Sequence, residues 1–302
     1  MYQVPDQSGR RFVVTGANSG TGREVVKRVA AAGADVVMAV RSPEKGEAAR
    51  EDILRGCPSG IVEVRVLDLA NLASVRSFAE GILDDDAPLN VLVNNAGVMV
   101  PPHRMTTDDG FELQFGTNFL GPFALTCLLL PRILESSAPR VLAMSSGTAA
   151  WGRIRFEDLQ SERSYRPRRA YAQSKLADLL ASRHLAALSK QRGWGLLAAA
   201  AHPGYTRTNL QTAGRNLGRA TPRQPAKRTF LPSQSVETGA EPLLFAATDP
   251  AAVNDGYYGP GGRLGLVGPT RPTQFPRTAR DLQLAARLWE AAEQLTGVRA
   301  PS

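Results

Sequence analysis

Six short apolar runs, at residues 11–14, 34–40, 61–67, 90–93, 140–144 and 195–201, punctuate the chain, and the stretches between them carry apolar residues at helical spacing. Runs of this length without polar alternation read as strands buried on both faces, the situation of a parallel sheet covered by helices on each side. Within residues 22–32, Val25, Val26 and Val29 share one helical face, and Gly33 follows as a C-terminal stop. Ser42-Pro43 opens the next helix as N-cap and first-turn proline, with Glu44 and Glu47 at its positive end. Residues 111–134 and 168–191 predict two long helices flanking the strand at 140–144. The alternation therefore predicts an α/β chain with a doubly wound parallel sheet and right-handed crossovers, in one domain over residues 1–302. A Pro- and Arg-rich segment interrupts the rhythm, and at about residues 209–235 it suits a substrate lid beside the carboxyl ends of the strands.

Composition changes this picture little. Of the 302 residues, 43% are hydrophobic and 21% charged, which suits a globular protein and argues against disorder. The most apolar stretch, 119–130, is broken by Gly121 and Pro122, so the reading is of no transmembrane segment. Cys57 and Cys127 lack metal-ligand spacing and lie in different elements, which fits a reducing, cytoplasmic compartment. The net charge of +8 comes from scattered arginines, and only residues 215–228 form a basic stretch free of acids. A solvated loop is its simplest reading, with contact to an anionic ligand as the alternative, and no nucleic-acid partner is expected.

The first strand runs into Thr15-Gly16-Ala17-Asn18-Ser19-Gly20-Thr21-Gly22, and a helix follows without a gap. Glycines there allow a tight turn, a close approach of a pyrophosphate to the backbone, and close helix packing with N–H groups aimed at the anion. The second strand ends in Val40-Arg41-Ser42, with no acid to hold a ribose diol. Arg41, with Ser42 as a second donor, suits a 2′-phosphate, so NADP(H) is expected in preference to NAD(H); covering the sheet edge is the alternative for Arg41. Asp68, followed by Leu69, suits either an adenine amino group or the cap of the helix beginning near Leu72. Asn94-Asn95-Ala96-Gly97 follows the fourth strand as a turn of small and amide residues, able to admit a ribose and brace the sheet.

Tyr171 and Lys175 stand four apart in a predicted helix, hence on one face. An ammonium beside a phenol of ordinary pKa about 10 favours the phenolate, which suits proton exchange with an alcohol or carbonyl oxygen. Together with the glycine turn, Asn94 to Gly97, and Ser145-Ser146 after the fifth strand, the pair resembles the short-chain dehydrogenase/reductase superfamily in its single-domain, Rossmann-type form. The resemblance runs from about Arg11 to Thr208. Ile154-Arg155-Phe156-Glu157-Asp158-Leu159-Gln160, then Ala170-Tyr171-Ala172-Gln173-Ser174-Lys175-Leu176-Ala177, and later His202-Pro203-Gly204, are similar to its retinol-dehydrogenase-like and WW-domain-oxidoreductase-like branch.

The resemblance implies a catalytic tetrad of Asn118, Ser146, Tyr171 and Lys175. Tyr171 would exchange the proton, Lys175 would lower its pKa and hold ribose hydroxyls, and Ser146, rather than Ser145, would bond the substrate oxygen. Asn118 would hold a relay water, and Pro203, Gly204 and Thr208 would line the nicotinamide carboxamide. The implied reaction is metal-free interconversion of an alcohol and its aldehyde or ketone, on a small and lipophilic molecule, and a homodimer is one option. An extended-type epimerase or dehydratase and a non-catalytic nucleotide sensor or scaffold are the alternatives. His202 is expected to be structural, and Trp151 to line either the substrate wall or the core.

Overall fold

The computed structural model of the protein describes residues 1–208, 210–217 and 232–301. Six parallel strands form where the apolar runs predict them: β1 (Arg11–Thr15), β2 (Asp35–Val40), β3 (Ile61–Val66), β4 (Val91–Asn94), β5 (Arg140–Met144) and β6 (Leu197–Ala201). Parallel β7 (Gly256–Pro260) and antiparallel β8 (Thr270–Pro272) extend the sheet, giving the order β3-β2-β1-β4-β5-β6-β7-β8. Successive residues of a strand face opposite sides: Phe12 and Val14 enter one core, Val13 the other.

Helices α1 (Gly20–Ala31), α2 (Pro43–Gly56) and α8 (Val236–Thr248) cover the first face. The second face carries α3 (Leu72–Leu83), α5 (Gly121–Leu134), α6 (Pro167–Arg192) and α9 (Leu282–Thr296). The fold is thus a single-domain doubly wound sheet, flanked as expected. Short α4 (Leu113–Phe115) leads through a π-helical turn, Gly116–Leu120, into α5, where the apolar pattern predicts one continuous helix. The helical run Leu113–Leu134 is long and apolar enough to cross a membrane, and 89% of its most apolar window is buried inside the protein. Trp289 of α9 packs edge-on against Phe123 of α5 and lies over His184 of α6, so the C-terminal helix covers part of both helices.

Of the two readings of Asp68, the structure sets aside the helix cap. The N-cap of α3 is Asn71, whose side chain accepts from Ser74 N; Asp68 instead closes a local turn, its Oδ1 accepting from Ala70 N at 2.9 Å. A carboxylate two residues before a backbone N–H makes that short turn more easily than it reaches the helix. The lid expected at 209–235 falls largely on Asn209 and residues 218–231, outside the described residues, as does most of the basic stretch 215–228; α7 (Leu210–Asn216) is its described part.

Candidate active site

The strand order reverses between β1 and β4, and the carboxyl ends of the strands at such a switch point are where an open α/β sheet forms its ligand crevice. The glycine turn follows β1, and Asn94 to Gly97 follows β4, so both meet at this switch point. They are bolted together by hydrogen bonds. The Thr15 hydroxyl accepts from the N–H groups of Asn95 and Ala96, each at 3.0 Å. The Asn95 amide donates to Thr15 O at 3.0 Å and accepts from the Thr21 hydroxyl at 2.8 Å. Amides at 94 and 95 thus brace the sheet, as the sequence suggests, with Asn94 Nδ2 donating to Thr126 of α5.

The turn fits an anionic cofactor. Gly16 has φ of 65° and its Cα is so close to β4 that an added Cβ would lie 2.9 Å from Ala96 Cα. A Cβ on Gly22 would meet Asn95 Nδ2 and lie 2.5 Å from Gly16 O. By contrast a Cβ on Gly20 would find only Thr208, at 3.6 Å, so the backbone there is open on one side. Ser19 makes no side-chain cap to α1 and no acid stands in its first turn, which leaves N–H groups and the positive end of the helix dipole for a phosphate. Gly22→Val is expected to wedge the turn apart, costing about 1–3 kcal/mol of stability by overpacking. Thermal denaturation and cofactor titration check it, and both should register the loss.

Around this turn Asn18 is half-buried and Ser19 exposed. At the end of β2, Arg41 is exposed, while Ser42 both caps α2 by accepting from Lys45 N and donates to Glu44 at 2.8 Å. Leu69 is buried against α5. Thr208 reaches back over Gly20, which brings the loop after β6, with Pro203 and Gly204, to the same crevice. His202 packs on Tyr257 with its Nδ1 accepting from Gly204 N, and burial lowers its pKa to about 4, so it is a neutral structural residue.

At the crevice floor, α6 presents Tyr171 and Lys175, both buried. Ser146, at the N-terminus of the 3-10 turn Gly147–Trp151, stands beside the Tyr171 phenol and acts to lower its pKa, whereas the Ser145 hydroxyl donates to Lys175 O at 2.7 Å and is thereby committed. The structure thus separates two adjacent serines that sequence alone leaves nearly equivalent. Burial holds the Tyr171 phenol above its ordinary value, outweighing the Lys175 charge and the Ser146 hydroxyl that act the other way. This corrects the expectation of a lowered phenol: Lys175 does act to lower it, but burial outweighs that and the phenol is protonated at neutral pH.

Lys175 donates to Met144 O at 2.8 Å and to Asp178 Oδ2 at 2.9 Å. Burial works against its charge, but Asp178 and Tyr171 overcome that, and its pKa is raised. Burial pushes the Asp178 carboxyl up to about 6, with the Lys175 charge offsetting part of it. Asp178 was missed by the sequence reading, although the spacing rule that pairs Tyr171 with Lys175 also puts residue 178 one turn beyond the lysine. Asn118 lies in the π-helical turn, a distortion frequent at functional sites. Its Oδ1 accepts from Val98 N at 2.7 Å, and its Nδ2 donates to Val98 O and Ser174 Oγ. The amide therefore clamps the β4 loop to α6.

Comparison with known proteins gives a consistent answer. The model for the short chain dehydrogenase family matches residues 10–216. Retinol dehydrogenase 13 of Homo sapiens is 38% identical, over 97% of this chain and 86% of its own length. Polyprenol dehydrogenase of Danio rerio is also 38% identical, over 98% and 89%. Among solved structures, an uncharacterised protein from Mycobacterium paratuberculosis superposes with a TM-score of 0.81 at 41% identity, covering 99% of this chain and 97% of that one. A putative NAD(P)-dependent gluconate 5-dehydrogenase from Beutenbergia cavernae with bound NADP gives 0.63 at 28% identity, over 83% and 95%.

Proposed function

Because the chain belongs to the short-chain dehydrogenase/reductase family, in its retinol-dehydrogenase-like branch, and is an alcohol/carbonyl oxidoreductase that binds a nicotinamide cofactor, we propose that it uses NADP(H) and acts on a lipophilic alcohol and its carbonyl through Tyr171, Lys175, Ser146 and Asn118. The observation that carries this reading is the buried phenol of Tyr171 with the Ser146 hydroxyl beside it and the Lys175 ammonium one turn away on the same buried helix face. A substrate oxygen accepting from both hydroxyls is polarised, and the phenol passes its proton as the alcohol forms. The cofactor, when bound, supplies the hydride. Asp178 keeps Lys175 charged at neutral pH, and the charged lysine favours the phenolate that remains after proton transfer.

Asn118 serves this centre by holding Val98 and Ser174 in register; since its side-chain amide is spent on them, any water-holding role falls to its main chain. The glycine turn and the N-terminus of α1 would take the pyrophosphate, Asn95 to Gly97 with Lys175 the ribose, and Pro203, Gly204 and Thr208 the carboxamide side. Lipophilic substrates are supported by the names of the relatives, whose alcohols are retinol and polyprenol, and by Trp151, which is 52% exposed just beyond Ser146. NADPH oxidation across aldehydes and ketones of graded size and polarity tests the substrate class. Rates that rise with apolar size support it; confinement to small hydrophilic carbonyls refutes it.

Arg41 carries the cofactor preference. It stands exposed at the end of β2 where no carboxylate competes for a ribose diol. A guanidinium–phosphate pair at a partly solvated site is worth roughly a tenfold to hundredfold in affinity. Arg41→Ala is expected to weaken NADPH by that factor and leave NADH nearly unchanged, as read by fluorescence titration. Equal affinities for the two cofactors in the unaltered protein would remove the argument.

A further inference from the structure

Beside the proton-transfer centre, between the 3-10 turn Gly147–Trp151 and the start of α6, lies a cavity of about 400 Å3 whose wall includes neither Tyr171 nor Ser146. It is lined by four arginines, Arg153, Arg155, Arg166 and Arg169, with Trp151 and Gln173 beside them. We propose that this cavity is a second anion site, built to take the phosphate group of a ligand distinct from the dinucleotide.

The charge balance of the segment carries the inference. Residues 152–169 hold six arginines and only three acids, Glu157, Asp158 and Glu162. None of those acids lines the cavity. The Asp158 carboxylate accepts from the N–H groups of Glu162 and Arg163, at 2.7 and 3.3 Å, and the Glu162 carboxylate faces Arg104 at 3.6 Å. Among the described residues, none of the four lining guanidiniums has an ion-pair partner. Four like charges around one concavity repel each other, and an anion in their midst relieves that repulsion.

Two features make the site a shaped one. Gln173, buried on α6, accepts from Arg155 N at 3.1 Å and donates to Leu159 O at 3.0 Å, pinning the arginine-bearing segment against the helix. The same wall includes the start of α6, 26 residues long, whose first turn contains no acid and whose N-cap, Arg166, makes no side-chain cap. The positive end of that helix adds to the guanidinium field. Planar guanidinium forks match phosphate oxygens two at a time, and the exposed indole of Trp151 offers a flat apolar face beside them. A phosphate group on a soluble metabolite or on a lipid headgroup has this chemistry.

Inorganic pyrophosphate is the probe. Titrated into the full-length protein by calorimetry and by Trp151 fluorescence, with Trp151→Phe as the blank, it is expected to bind saturably. Arg155→Ala should weaken that binding about tenfold, and Arg155→Ala/Arg166→Ala about a hundredfold, at an unchanged thermal midpoint, since neither guanidinium is paired. Arg41→Ala, at the far side of the sheet switch point, should leave the fluorescence change in place. Co-sedimentation with neutral vesicles and with vesicles carrying phosphatidic acid separates the sources. Arginine-dependent capture by the acidic vesicles assigns a headgroup, and pyrophosphate binding without capture assigns a soluble phosphate. Pyrophosphate affinity and stoichiometry unaltered in the double variant, or no binding of either probe, would overturn the proposal.

Discussion

Tyr171→Phe is expected to slow hydride transfer roughly a thousandfold, within the range lost when a positioned general acid is removed, while NADPH affinity stays within about twofold of the parent. The ring of Tyr171 is only 6% exposed and phenylalanine refills its space, so no cavity opens and the fold should persist. The Ser146 hydroxyl keeps Thr148 N as a donor at 3.3 Å in the variant. What disappears is the proton. The pH dependence has a definite sign. Burial keeps the phenol protonated through neutrality, so carbonyl reduction should hold steady there and fall only as pH rises through the phenol's pKa. Asp178 raises that pKa through its charge, hence Asp178→Asn should move the alkaline limb of reduction toward lower pH. Stopped-flow absorbance of NADPH under single-turnover conditions reads both results.

The second large effect is thermodynamic. Lys175→Met leaves the Asp178 carboxylate buried at 7% side-chain exposure and without the one ion-pair partner it has among the described residues. Removing one member of a buried pair costs about 3–5 kcal/mol, chiefly through the uncompensated charge. Adding Asp178→Asn to the same chain removes the orphaned charge, and the double variant should recover most of the loss. The coupling energy in the double-mutant cycle should therefore exceed about 2 kcal/mol, as residues in one ion pair require. A carboxyl whose folded pKa is raised above its unfolded value contributes its stability at low pH and loses it as pH rises through the folded pKa. In the parent that point is about 6. In Lys175→Met it must lie higher, so the variant should be nearly normal in acid and progressively weaker toward alkaline pH. Urea denaturation at a series of pH values checks the cycle; additive effects of the two substitutions would show that the pair does not act as a unit.

Much of the fold is legible because its central strands obey one rule. Strands β1, β2 and β4 to β6 are short apolar runs bounded by helices, and burial on both faces allows little else; edge strand β3, with Glu63 and Arg65 inside it, is more exposed. Strand β7, Gly-Tyr-Tyr-Gly-Pro, is not legible that way: two glycines and a proline disguise it, and it is strand because β6 and β8 flank it. Helix α9 is written in the spacing of Ala285, Leu288, Trp289 and Ala292, but its place against α5 and α6 depends on tertiary packing. The π-helical turn at Asn118 leaves no trace in the apolar pattern, since it changes hydrogen-bonding geometry and not burial.

At the site, residue order conveys the glycine turn, Ser146, Tyr171 and Lys175. It misjudges the phenol, because the desolvation that raises its pKa is a property of the closed fold and not of helical spacing. It is equally silent on the arginine-lined cavity, whose four cations come from both ends of a loop and meet only when Gln173 ties that loop to α6.

The central claim is that Tyr171 passes the proton while hydride moves between NADP(H) and an apolar alcohol or carbonyl. Its most direct measurement is the consumption of NADPH and of NADH with retinal as the carbonyl, by the parent and Tyr171→Phe proteins side by side, with NADPH binding recorded for each. Turnover by the parent is expected to be faster with NADPH than with NADH, and to fall roughly a thousandfold in the variant at equal binding. A parent protein that binds NADPH but consumes none with retinal or any other carbonyl offered, or a variant that turns over at the parental rate, would contradict it.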